Sequence, residues 1–119
     1  MKKPIAWIAF AAATAFYSVG ANAANYTGTM VFQSLEKYAK DIADKSKKDI
    51  DPGTAMTMGY ILGVADSDRA VCPDPRASVA HYMIAVHEYM KRHQELMDKS
   101  AAISASLALR EAFPCQGKK

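Results

Sequence analysis

The chain has 119 residues, half of them apolar, with a formal net charge of +3 and two cysteines. That length points to one small domain. Its basic residues do not gather into the concentrated patch that a nucleic-acid-binding face needs, so no nucleic-acid partner is expected.

The first element in chain order lies outside the fold. Lys2 and Lys3 precede the apolar run "IAWIAFAAATAFYSV", which closes on Gly20 and then "ANA", with small residues at Ala21 and Ala23. The run is short and alanine-rich beside a bilayer span of about 20 residues. It has the layout of a secretory signal peptide over 1–23, cleaved after Ala23. Cleavage leaves the 96 residues 24–119 and takes two lysines away, so the net charge falls to +1. The expected location is the periplasm in a Gram-negative host. No second apolar stretch is long enough to hold the mature chain in a membrane.

Four helices are predicted for 24–119. After a short disordered "AANYTG", Thr29 reads as an N-cap. Val31, Leu35, Tyr38 and Ile42 then form one apolar stripe on a helix ending near Asp44. "KSKKDID" reads as a solvated connector. The second helix opens with Asp51 as cap and Pro52 at the first helical position, where its missing N–H costs nothing. Gly59 and Gly63 sit four apart on it. Glycine costs about 1 kcal/mol inside a helix, so the pair predicts close approach by another helix backbone. The polar, turn-rich "ADSDRAVCPDP" ends this helix.

The third helix starts at Ser78 and carries Val79, Met83, Val86 and Met90 as a stripe, widened by Tyr82 and Tyr89. "KRHQE" reads as a turn or an exposed helical junction. The fourth helix is expected over 96–113, with Leu96, Ile103, Leu107, Leu109 and Phe113 as its apolar positions. Alanine and serine fill much of the rest, which lets it sit close to its neighbours, and Pro114 stops it. No alternating pattern long enough for a strand occurs. The expected fold is all-α: a small four-helix domain over 24–119 with one disulfide.

That disulfide follows from position. Cys72 precedes the third helix and Cys115 follows the fourth. If the two helices form an antiparallel hairpin, each about 25 Å long, the cysteines meet at its open end. The compartment that exported proteins enter oxidises such pairs. A metal site competes poorly: His81, His87 and His93 are spaced six apart, and six residues turn a helix by about 240°, so they spread around it. Neither cysteine has a second thiol at zinc-ligand spacing. A catalytic cysteine would need a free thiol beside a base. There is no nucleophile elbow, phosphate-binding glycine loop or paired-carboxylate helix face. Neither an enzyme nor a cofactor is expected.

The order "GYILGVADS" at 59–67, "CP" at 72–73, "EYMKRH" at 88–93 and "AAISASLALREAFPC" at 101–115 resembles the Rap/Tai family of immunity proteins associated with type VI secretion amidase effectors. That family shows a Gly-Tyr-x-x-Gly helix, a Cys-Pro turn, a Tyr-Leu-x-x-His-Pro stretch and an Ala-Leu-x-x-Ala-Phe-Pro-Cys ending. Two departures stand out. Thr57 occupies a place where many relatives have a cysteine that pairs with one in the first helix, so here that helix is expected to be held by packing alone. Gln94 replaces the proline after His93, which allows a continuous helix through that junction.

The resemblance implies a periplasmic protein that binds a peptidoglycan-cleaving amidase and blocks it, and whose best-studied relatives are dimers. The loop "DSDRAVCPDPR" is the candidate contact, through Asp66, Asp68, Arg69 and Arg76. The alternative is an Hde-like acid-stress chaperone. Proteins of that type are also small, exported, all-α and stapled by one disulfide, and Met30, Met56, Met58, Met83, Met90 and Met97 suit promiscuous apolar binding. A secreted hydrolase of unfamiliar type lacks a visible nucleophile–base pair.

Overall fold

The computed structural model describes residues 26–115. The signal-peptide reading of 1–23 lies outside them. Four helices follow in order: α1 over Gly28–Ala43, α2 over Pro52–Ser67, α3 over Val79–Arg92 and α4 over Ala101–Ala112. A 3-10 turn at Gln94–Leu96 separates the last two. Among the described residues there is no strand, only isolated bridges pairing Thr27 with Ser100 and Val71 with Pro114.

The N-terminus of α1 departs from expectation. Thr27, not Thr29, is the cap, and its side chain makes no capping hydrogen bond. The first amides of a helix have no partner within it. Here they find carbonyls across the chain: the Gly28 amide donates to Lys99 O and the Thr29 amide to Met97 O, both at 2.8 Å. The Ala101 amide returns the favour to Tyr26 O at 2.8 Å, and the Thr29 hydroxyl also donates to Met97 O, at 2.7 Å. Tyr26 is therefore fixed rather than disordered. Its ring meets Tyr60 edge-on at 5.0 Å, and its hydroxyl is 2.7 Å from that of buried Thr57. Hydrogen bonds thus add to packing in holding α1, and one of them uses Thr57.

The cap of α2 forms as the sequence predicts, with the Asp51 carboxylate accepting from the Gly53 and Thr54 amides. Its glycines do not behave as predicted. Gly59 and Gly63 are exposed, and a Cβ on either would meet nothing within 4 Å. The close approach occurs instead at Gly28, where a Cβ would run into the Leu96 carbonyl and lie 2.8 Å from Ser104 Oγ.

Val31 and Leu35 of α1, Ile61 of α2, Met83, Val86 and Met90 of α3, and Leu109 of α4 are fully buried and form the centre of the core. Ile42 and Val79, at the ends of their predicted stripes, remain exposed because the helices run past the core there. The larger correction concerns α4. It starts at Ala101, capped by Ser100, and turns Ala101, Ser104, Ala105 and Ala108 inward beside Leu109. Ile103 and Leu107 face outward, 49% and 39% exposed. The small inward face lets α4 approach α1 and α3 closely, as its alanine content predicts. Junction 92–97 is a break and not a continuous helix: His93 leaves the helical region at φ −129° and ψ 69°.

Candidate partner-binding loop

The antiparallel α3–α4 pair brings its open ends together as predicted, and Cys72 is bonded to Cys115 with their Cα atoms 4.8 Å apart. The Cys72 amide donates to Phe113 O at 2.9 Å, and the Phe113 ring stacks on Tyr82 at 4.6 Å. The loop from the end of α2 to Ser78 is thus anchored in its middle to the end of α4.

A second anchor lies at the start of the loop. Asp68 is the C-cap of α2 and its side chain is only 7% exposed. Its carboxylate accepts from Arg110 Nε at 2.8 Å and Nη2 at 3.2 Å, a forked contact, and from Ser106 Oγ at 2.7 Å. The Ala70 amide adds a further bond at 2.9 Å. Arg110 first, then the Ala70 amide and Ser106, hold the Asp68 carboxyl at about 2, well below the usual carboxylate range. Asp68 therefore serves as an internal brace.

The other three candidates lie at the surface. Asp66 and Arg69 are exposed. Arg76, with a side chain 90% exposed, forks onto Asp74 through Nε and Nη2, both at 3.1 Å. The Arg76 guanidinium and amide hold the Asp74 carboxyl below its ordinary value. This local pair places a charged group at the exposed tip of the loop. Beside it opens a cleft of about 480 Å³ lined by Asp74, Arg76, Ala77, His81, Ile84 and Phe113, among others. Ile84 is 46% exposed within it. His81 Nδ1 accepts the Ser78 amide at 2.9 Å, so the neutral ring carries its proton on Nε2.

Sequence reasoning missed Ser106 and Arg110, which lie 38 and 42 residues from Asp68, too far for any local pattern to link them. It also missed His81 and Ile84, although Ser78 three residues before His81 is a helix-start signal that could have drawn attention to the ring. The histidines do not converge: His87 bonds Glu36 at 2.7 Å and His93 bonds Glu95 at 3.0 Å. Among the described residues no three His, Cys, Asp or Glu side chains are grouped to hold a metal.

Fold and site together define a small all-α domain, stapled once, with a doubly anchored charged loop beside an apolar cleft. The profile of the Rap1a immunity proteins matches residues 31–115, most of the chain. The chain belongs to this family, and its partner in that role is a cognate secreted effector protein. No curated protein and no solved structure shows significant similarity to it.

Proposed function

We propose that this protein is a periplasmic immunity protein, without catalytic activity of its own, that binds and blocks a peptidoglycan-degrading amidase effector of a type VI secretion system. The family match supports the immunity role. The Rap/Tai-like motifs at 59–67, 72–73, 88–93 and 101–115 support an amidase as target, and the signal-like leader supports the periplasm.

The observation that carries the reading is the anchoring of the 66–76 loop. An inhibitor gains affinity when its contact loop needs no ordering on binding. Here the disulfide, the Asp68–Arg110 fork and the Cys72–Phe113 bond fix the loop before any partner arrives. Asp66, Arg69 and Arg76 are the contact residues, Asp68 supports them from below, and Ile84 in the adjoining cleft offers an apolar contact. A homodimer would present two such loops.

The test is a pull-down of the oxidised protein against the periplasm-targeted product of its neighbouring gene, with a peptidoglycan-hydrolysis assay alongside. Saturable binding that stops hydrolysis at equimolar ratio is the expected result. Absence of binding, together with suppression of client aggregation only in acid, would replace this reading with the chaperone one.

A further inference from the structure

The start of α3 is closed by an unusual capping residue. A capping box places an acceptor side chain at the third helical position, where it takes the amide of the N-cap residue. That acceptor is ordinarily Glu or Gln. Here the N-cap is Ser78 and the third position is His81. The Ser78 amide donates to His81 Nδ1 at 2.9 Å, and Ser78 Oγ lies 2.8 Å from the same nitrogen.

The exchange of residue type changes what the cap responds to. A Glu or Gln side chain keeps an accepting oxygen in every protonation state. Imidazole accepts through Nδ1 only while it is neutral with its proton on Nε2; imidazolium has two donors and no acceptor. Histidine is also the side chain whose ordinary titration falls between pH 5 and 8. His81 is exposed, so a proton reaches the ring without any unfolding.

The surroundings give the charged ring a new partner. His81 shares its cleft with Asp74 and Arg76 of the loop, and the rest of the lining, from Ala77, α3 and the end of α4, is uncharged. Asp74 and Arg76 are forked onto each other at 3.1 Å. A positive ring in this cleft is attracted to the Asp74 carboxylate and repelled by the Arg76 guanidinium. Protonation therefore acts on the cap and on the fork together.

We propose that His81 is an acid-released latch between α3 and the end of the loop. Neutral, it accepts the Ser78 amide and holds the segment 74–78 against the helix. Protonated, it drops that bond, turns to Asp74 and competes with Arg76 for the carboxylate. The release is local, because the disulfide, the Asp68–Arg110 fork and the Cys72–Phe113 bond hold the first half of the loop without His81. The latch is a property of the fold and operates whatever partner the loop meets.

The test is an NMR titration of the purified, oxidised protein from pH 8 to pH 5, following the His81 ring nitrogens, the Ser78 amide and the Arg76 Cδ. The Nε2–H tautomer is expected at pH 8. The Ser78 amide and Arg76 Cδ should shift with the midpoint of the His81 ring. Exchange of the Ser78 amide, relative to an unstructured chain at the same pH, should rise about fivefold across that step, as for the loss of one hydrogen bond. In His81→Gln, which keeps an acceptor at every pH, the Ser78 amide should stay protected throughout. In His81→Ala it should be unprotected at both ends. A Ser78 amide or an Arg76 Cδ that ignores the His81 titration, the Nδ1–H tautomer at pH 8, or a step retained in His81→Gln would each overturn the proposal.

Discussion

Asp68 shows how much a single carboxylate can organise in a domain this small. Its folded-state value of about 2 lies below the value of about 3.9 expected in the unfolded chain. The stability it confers is therefore complete above about pH 4 and is lost as the pH falls toward 2. Glu36, lowered first by its hydrogen bond to His87, acts in the same direction. Thermal melts from pH 7 down to pH 2 should show a falling Tm below pH 4, and Asp68→Asn should flatten that fall while lowering the Tm at neutral pH. An Asp68→Asn protein with the parent's acid profile would show that the Arg110 fork contributes nothing. Asp68 also marks the limit of local reading: its aspartate-in-a-turn setting was legible, whereas Arg110 and Ser106 reach it from another helix.

At the scale of elements, the glycines make opposed predictions. A Cβ at Gly59 or Gly63 meets open space on an exposed helix face. Alanine at either should stabilise by about 0.5–1 kcal/mol through helix propensity. Gly28→Ala should instead destabilise by about 1–3 kcal/mol, because the first turn of α1 must move away from Leu96. Urea denaturation of the three variants checks both signs at once. The Tyr26–Thr57 hydrogen bond is a third case: Thr57→Val should cost about 1 kcal/mol, and a much smaller loss would mean that this bond adds nothing to the packing and the other hydrogen bonds that hold α1. Among the described residues the sequence identified each of the four α-helices and their order. It misjudged α4 because that helix carries two faces at helical spacing, Ile103 with Leu107 and Ala101 with Ala105 and Ala108. Side-chain size favours the first as core, but the space left between α1 and α3 admits only the second.

For the whole molecule, the Cys72–Cys115 bond is the main staple. It closes a separation of 43 residues, which constrains the unfolded chain by about 4 kcal/mol on entropy alone. A domain of this size has only about 5–15 kcal/mol in total. The double Cys72→Ala, Cys115→Ala variant should therefore unfold at much lower urea, and the parent treated with reductant should behave alike. A loss well under 1 kcal/mol would indicate that the Asp68–Arg110 fork and the Phe113–Tyr82 stack already hold the hairpin closed. If the staple also serves binding, the reduced protein should lose inhibition of its effector before it loses its helices by circular dichroism.

By itself the sequence determined, for the described residues, the number and order of the α-helices, the cap of α2, the start of α3 at Ser78, the disulfide and the family. These depend on local signals or on a motif order that survives without knowledge of packing. Tertiary structure decided which face of α4 is buried and which glycine is needed for contact. It also showed that Asp68 braces the loop from within while Asp66, Arg69 and Arg76 remain at the surface. Each of those outcomes depends on groups brought together from distant positions, and a periodic pattern along one helix does not encode the shape of the space its neighbours leave.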